Sequence, residues 1–321
     1  MPAHWNHSLD ASTRYCAVLG HPIAHSASPA MQNAGLKQLE LNWRYLAFDV
    51  HPDRLLQVLE GMRSMHFVGL NLTVPHKLLA LEWVDELDES ARRWGAVNTI
   101  RFDGQLHDGS WMPVGKAKET GNFQAIRSVG YNTDAEAILT SIREDLALDL
   151  KHSCCVLLGA GGAGRVAALK LPEGGVRKLF LVNRTRSKCE TIAKELQVTH
   201  PDLQVEIGYP HSGEKVDLIL NATSLGLKAS DSMPWDRESL NWDQVSHAYD
   251  MIYQPAETPF LKAARLAGCR TANGLGMLLH QGAAALEIWT GQTPPLKTMR
   301  EALHTHIYPT GSSVESMESA G

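Results

Sequence analysis

The chain has 321 residues, of which 44% are hydrophobic and 20% charged, and carries a formal net charge of −5 at pH 7. That length supports two domains with cores of their own. The negative balance excludes a basic nucleic-acid surface, and the absence of any apolar run of spanning length excludes a transmembrane segment.

Residues 1–13 are polar and aperiodic and read as a loose arm, without the basic and apolar regions of a signal peptide. Arg14–Leu19 reads as a short strand, followed by a turn rich in Pro and Ser and a helix over Ala30–Leu39. Ser28 would then be the N-cap and Pro29 the first helical residue, both favoured there. Capping accounts for Ser28 but not for Ser26, and two hydroxyls beside the positive end of a helix suit a carboxylate. Trp43–Val50 is the next strand and Pro52–Met62 an amphipathic helix.

The run from Phe67 to Lys77 reads as a strand, a turn and the start of a helix near Pro75, which gathers Asn71, Thr73 and Lys77 where a strand ends. Open α/β sheets place ligands at such ends. A lysine in a first helical turn opposes the helix dipole, which favours a functional lysine over a surface one. Leu78–Trp94 is expected to be helical, with the acidic run Asp85, Glu86, Asp88 and Glu89 on a solvated face, and Gly95–Phe102 to be a strand bearing Asn98. Gln105–Arg127 shows no clear period and reads as a long insertion. Asp134 stands at the N-terminus of a helix over Ala135–Leu146, where a carboxylate is favoured for capping alone.

From Cys155 an apolar run meets the cluster Gly159-Ala160-Gly161-Gly162-Ala163-Gly164, and a helical run follows. This is the first turn of a dinucleotide-binding βαβ unit: glycines for a tight turn and close backbone approach, then a helix N-terminus for the pyrophosphate. The second strand, Lys178–Val182, ends in Asn183-Arg184-Thr185-Arg186-Ser187-Lys188, with no carboxylate before Glu190. An NAD site carries an acid there, roughly 20 residues past the glycines. Here Arg184, Arg186 and Lys188 can instead hold a 2′-phosphate, so the expected cofactor is NADP, the plain alternative being a solvated basic turn. Further strands are expected at Val205–Gly208, Asp217–Asn221 and His247–Tyr253, which implies a mainly parallel, doubly wound sheet. The turn Asn221–Gly226, with Thr223, falls after a strand and near the cofactor.

Gly274–Met277 leads into a helix over Leu278–Trp289, where Gln281 either finds internal partners or faces a ligand. The tail from Pro309 is low in complexity and reads as disordered. Five cysteines, Cys16, Cys154, Cys155, Cys189 and Cys269, odd in number and without a Cys-x-x-Cys, read as reduced packing residues in a cytoplasmic protein. The 15 histidines show no ligand spacing, so no metal is expected.

Taken together these segments resemble the shikimate/quinate dehydrogenase family over roughly residues 15–305. The segment Gly20-x-Pro22-Ile23-x-His25-Ser26-x-Ser28-Pro29 is similar to the family's substrate-carboxylate loop. Asn71-Leu-Thr73-Val-Pro75-His76-Lys77 is similar to the segment of the catalytic lysine. Gly95-Ala-Val-Asn98-Thr99 and Asn132-Thr133-Asp134 resemble those of the substrate asparagine and the catalytic aspartate. Gly159–Gly164, Asn183-Arg184-Thr185, Asn221–Gly226, Asp250–Pro259 with Tyr253, and Gly274-x-Gly276-Met277 with Gln281 complete the series.

The resemblance implies an α/β protein of two domains. A substrate domain is made of residues 1–133 and 274–321, and a Rossmann-type NADP domain of 134–273 is inserted in it, with substrate in the cleft. It implies reversible reduction of 3-dehydroshikimate to shikimate, with Lys77 as acid–base group oriented by Asp134. Ser26, Ser28, Asn71, Thr73, Asn98, Tyr253 and Gln281 would hold the substrate. The cofactor would be held by residues 159–164, Asn183, Arg184, Thr185, Lys188, Thr223, Gly274 and Met277. The partners implied are a small-molecule substrate and no nucleic acid or membrane, in a monomer or homodimer. Alternatives are a quinate-preferring dehydrogenase and a non-catalytic NADP-binding regulator. Gln32 stands where the family usually has His, Ala137 where it has Gly, and the link from Asn98 to Asp134 is longer than usual.

Overall fold

A computed structural model describes residues 9–118, 123–228, 230–236 and 238–309. Of the arm predicted over residues 1–13, residues 1–8 lie outside the described residues, as does all but Pro309 of the predicted tail; Asp10 and Ser12 both accept from the Asn42 amide at 3.1 Å, so that part of the arm is tied down. The chain divides into two units, one of the residues up to Thr133 and from Gln281 onward, the other Asp134–His280.

The first unit holds strands β1 (Arg14–Gly20), β2 (Trp43–Asp49), β3 (Gly69–Leu72), β4 (Glu86–Leu87), β5 (Thr99–Gln105), β6 (Trp111–Pro113) and β7 (Ile126–Tyr131). Its helices there are α1 (Ser28–Gln38), α2 (Leu55–Ser64) and α3 (Glu89–Trp94). The sheet runs β2-β1-β3-β5-β7-β4, with β6 paired to β5. It is mixed: β1 pairs parallel with β2 and β3, whereas β5 is antiparallel to both β3 and β7. Leu55, Leu59 and Met62 of α2 enter one core cluster with Ala17, Leu19, Leu70 and Ile100 of the sheet, as expected of an amphipathic helix on a sheet face.

Three expectations fail here, the first being the strand bearing Asn98, since β5 begins one residue beyond it at Thr99. No regular helix forms over Leu78–Trp94. Residues 74–83 make successive turns, then come β4 and the short α3. The Lys77 carbonyl accepts the Val97 N–H at 2.9 Å, while the Leu81 N–H goes to Leu78, so the i→i+4 ladder is interrupted where it would begin. Lys77 therefore opposes no helix dipole. Nor is Asp85 merely solvated: its carboxylate takes the Ser128 N–H (2.7 Å) and hydroxyl (2.8 Å) and pairs with Arg63 at 2.9 Å. Asp88 caps α3 through the Ser90 N–H.

The expected insertion contains ordered structure. β5 and β6 form a hairpin around Asp108-Gly109, with Gln105 opposite Trp111, and Asp-Gly is a hairpin signal. Val114 is fully buried in the unit's core, and Phe123 packs on it. The Arg14 guanidinium donates to the carbonyls of Val114 (3.0 Å), Lys118 (3.1 Å) and Ala117. Residues 119–122 lie outside the described set.

The second unit opens with α4 (Asp134–Leu146) and continues β8 (Cys154–Leu158), α5 (Gly162–Lys170), β9 (Lys178–Val182), α6 (Arg186–Thr199), β10 (Gln204–Ile207), β11 (Val216–Asn221), β12 (Val245–Asp250), α7 (Pro259–Leu266) and β13 (Arg270–Asn273). Its sheet is entirely parallel, in the order β10-β9-β8-β11-β12-β13. Numbered within the unit this is 3-2-1-4-5-6, the doubly wound Rossmann order with its reversal between β8 and β11. All five residues of β8 are buried, as in a strand covered on both faces. Helix α8 (Leu275–Thr290) carries the chain back to the first unit at His280/Gln281, and α9 (Leu296–Ile307) follows. Among the described residues no helix is long and apolar enough to cross a membrane. All five cysteines are free and buried.

Candidate active site

In the first unit two of the predicted substrate residues, Asn71 and Asn98, are linked by a continuous buried chain of uncharged groups. Tyr45 donates its hydroxyl to Asn71 Oδ1 at 2.7 Å, and Asn71 Nδ2 donates to Thr99 Oγ1 at 2.9 Å. Thr99 Oγ1 donates to Asn98 Oδ1 at 3.1 Å, and Asn98 Nδ2 reaches Thr133 Oγ1 at 2.9 Å. The Thr133 N–H also donates to Asn98 Oδ1 at 2.8 Å. Burial holds the Tyr45 phenol's pKa well above the ordinary value, with Ser28 beside it. Tyr45, Thr99 and Thr133 were not singled out from the sequence. Tyr45 could have been, because a buried phenol on a strand requires a partner.

Ser28 is not the N-cap. It is the first residue of α1, and Ala27 holds the cap position with no side-chain cap bond. Ser26 Oγ accepts the Ser28 N–H at 3.4 Å, so Ser26 is the hydroxyl that meets a backbone amide at the helix start. Thr73 donates its N–H to Leu19, and the half-buried Lys77 is fixed through its own carbonyl to Val97, beside Asn98. Gln32, one turn along α1 from Ser28, is fully buried and donates Nε2 to the Gly282 carbonyl at 2.8 Å, next to Gln281. Gln281 itself is half-buried.

In the second unit the predicted cofactor residues gather at the carboxyl ends of β8, β9 and β11. Gly159 has φ +104°, and a Cβ there would lie 2.9 Å from Thr223 Cγ2. A Cβ on Gly164 would collide with the Gly159 carbonyl. By contrast, a Cβ on Gly161 or Gly162 would meet nothing within 4 Å. The turn is thus held tight from within and open outward at the helix start, where N–H groups attract phosphate. The donor set fits a dinucleotide.

Asn183 Oδ1 accepts the Ala160 N–H at 3.1 Å and Asn183 Nδ2 donates to the Thr185 carbonyl at 3.0 Å, joining the turns after β8 and β9. Arg186 is paired with Glu190 at 3.1 Å. The exposed Arg184 and Lys188 form no ion pair among the described residues. Asp134 is the first residue of α4 and half-buried. Tyr253 is half-buried, and burial raises its phenol. Gly274 donates its N–H to Ile252 at 3.3 Å, and Met277 lies in the first turn of α8.

Comparison with known proteins finds three family-model matches along the chain. Residues 18–100 match the shikimate dehydrogenase substrate binding domain, 141–226 shikimate/quinate 5-dehydrogenase, and 274–304 the shikimate 5′-dehydrogenase C-terminal domain. The chain is 37% identical to the shikimate dehydrogenase (NADP(+)) of Methanopyrus kandleri over 94% of its own length and 98% of that protein's. It superposes with a TM-score of 0.78 on a crystal structure of a shikimate dehydrogenase in complex with NADP+, at 34% identity, covering 94% of this chain and 98% of that one. The shikimate dehydrogenase of Thermus thermophilus in complex with NADP(H) and shikimate is similar with a TM-score of 0.74 at 34% identity, covering 91% and 98% of the two chains.

Proposed function

The chain belongs to the shikimate dehydrogenase family, and from that premise we infer that it reduces 3-dehydroshikimate reversibly to shikimate with NADPH. It is an NADP-dependent oxidoreductase acting on a secondary alcohol. The observation that carries the substrate reading is the uncharged chain from Tyr45 through Asn71 and Thr99 to Asn98 and Thr133. A polyhydroxy acid needs such donor–acceptor groups, because each buried polar group left unpaired is costly.

The substrate-binding part comprises residues 1–133 and 274–321, the cofactor part 134–273. NADPH, when bound, supplies the hydride that the ring carbonyl carbon accepts. Lys77 as ammonium donates the proton that the developing alkoxide takes up, and in the reverse direction its free amine accepts the hydroxyl proton. Asp134 orients Lys77; the residue before it, Thr133, is fixed to Asn98 by the bonds described. Ser26 and Ser28 hold the carboxylate. Asn71, Thr73, Asn98, Tyr253 and Gln281 hold the ring hydroxyls. Arg184 and Lys188 hold the 2′-phosphate. The protein works in the cytoplasm as a monomer or homodimer, a setting that suits five free, buried cysteines.

Absorbance at the nicotinamide band, with shikimate and quinate crossed against NADP and NAD, tests the reading. Shikimate with NADP should be the preferred pair, and Arg184→Ala should weaken NADP by about 10- to 150-fold, the worth of a charge-assisted contact, while leaving NAD nearly unchanged. Preference for quinate moves the quinate reading ahead. Equal use of both cofactors by the unaltered protein removes the role given to Arg184.

A further inference from the structure

Asp250 is the last residue of β12, 0% exposed, and has no cation against it among the described residues. Three uncharged donors hold its carboxylate. Asn221 Nδ2 and the Ile252 N–H both reach Oδ1 at 3.0 Å, and the Thr258 hydroxyl reaches Oδ2 at 2.6 Å. Asn221 ends the neighbouring strand β11, in register with Asp250. Its own Oδ1 accepts the Thr223 N–H (3.0 Å) and hydroxyl (2.7 Å), and Thr223 Oγ1 accepts the Leu225 N–H at 3.1 Å. The Thr223 side chain in turn faces Gly159 of the glycine turn. One buried carboxylate therefore stands at the root of a relay that sets the turn after β11, beside the sheet's order reversal, where doubly wound sheets bind their ligands.

We propose that Asp250 is a positioning residue for the cofactor: through Asn221 it holds the Thr223 turn in the shape that receives NADP, without touching NADP itself. The proposal rests on the NADP reading above. The same carboxylate fixes the path of the chain past β12 through Ile252 and anchors Thr258, whose Oγ1 accepts the Leu261 N–H at 3.3 Å at the start of α7. What Asp250 supplies is acceptor geometry rather than charge. Burial pushes its carboxyl up to about 6, against the opposing pull of its bonds from Thr258, Ile252 and Asn221. When the carboxyl is protonated, its O–H can be donated to Thr258 Oγ1 while Oδ1 keeps its bonds to Asn221 and Ile252. An asparagine keeps its Oδ1 for Asn221 and Ile252, and its amide donates to Thr258 Oγ1 once that hydroxyl turns its own proton away.

Calorimetric titration of the full-length protein with NADP, beside steady-state kinetics, tests this. Asp250→Ala should raise the NADP dissociation constant by about tenfold or more, the loss expected from a buried relay left without its acceptor. Its kcat at saturating NADP should change much less. Asp250→Asn should bind within about threefold of the unaltered protein, well inside the cost of one lost hydrogen bond to a charged group. Its thermal midpoint at pH 8 should not fall, because a carboxyl with a raised pKa binds its proton more tightly when folded and so costs stability above pH 6. Val245→Ala, at the opposite end of the same strand, is the control for general weakening of the unit and should leave NADP affinity intact.

Unchanged NADP affinity in Asp250→Ala overturns the proposal. So does an equal loss in Val245→Ala, or an Asp250→Asn as weak as the alanine variant. Should Asp250→Ala not fold, Asn221→Ala removes the other half of the joint and carries the same expectations. Failure of the unaltered protein to bind NADP would sink the cofactor reading itself, a result distinct from all of these.

Discussion

At the scale of single residues, the chemistry turns on a lysine and an aspartate remote from each other in sequence. If Lys77 is the acid–base group, Lys77→Ala should lower kcat with shikimate by about 10²–10⁴-fold. The Michaelis constants should move much less, because the loss is confined to the transition state. Asp134→Asn should also lower kcat, and the double variant should be little worse than the worse single one, since groups acting as a unit are not additive. Stopped-flow turnover with NADP binding as control would check this, and near-normal turnover in Lys77→Ala would remove the mechanism. Residue identities were readable from the chain in proportion to how local their reason is. Gly159 and Gly164 are demanded by a turn within a few residues of themselves, and the sequence pattern finds them. The spacing makes Ser28 a cap, yet α1 starts at Ser28 itself, its register set by Asn33, which bonds the Tyr45 backbone of β2, a neighbour remote in sequence. Asp250 could not be ranked at all, since its weight comes from Asn221 on an adjacent strand.

At the scale of elements, runs with a strong period were legible: α2, α4, β8, β9 and α8 lie close to their expected ranges. The stretch after Lys77 was not, although its composition suits a helix. Tertiary pairing to Val97 overrides that propensity. The region 105–127 was opaque for another reason. β6 has only three residues, too few for a period, and the Asp108-Gly109 turn was the one local cue. Its described part is tied into the first unit by Val114 and by Arg14. Replacing residues 107–124 by a short Gly/Ser link should therefore cost about 3–6 kcal/mol, the sum of one buried valine and one charge-assisted bond. Denaturant unfolding would read that loss. The Michaelis constant for shikimate should stay within about twofold, a smaller change than one lost substrate hydrogen bond would bring. A large rise in that constant with stability intact would make the region an active-site lid instead.

At the scale of the whole molecule, the alternation of strand and helix from Cys154 onward announces a parallel sheet, and the 3-2-1-4-5-6 order completes it. The mixed sheet of the first unit could not be announced, because β5 enters between β3 and β7 by antiparallel pairings that no local period encodes. The two units also divide the cysteines unequally. Cys16 lies in the first, and Cys154, Cys155, Cys189 and Cys269 in the second, all free and buried. Burial raises the Cys154 and Cys155 thiols to about 11 and about 12, so none offers a ready thiolate to a reagent in the folded state. Nature has thereby placed a silent clock in each half. An alkylating agent can mark Cys16 only when the first unit opens, and the other four only when the second does. Mass-resolved labelling over time should count these openings separately. Saturating NADP should slow the marking of the four by a factor of one plus the ratio of the NADP concentration to its Kd; labelling of those four at an unchanged rate would mean that the cofactor does not stabilise the unit that contains them.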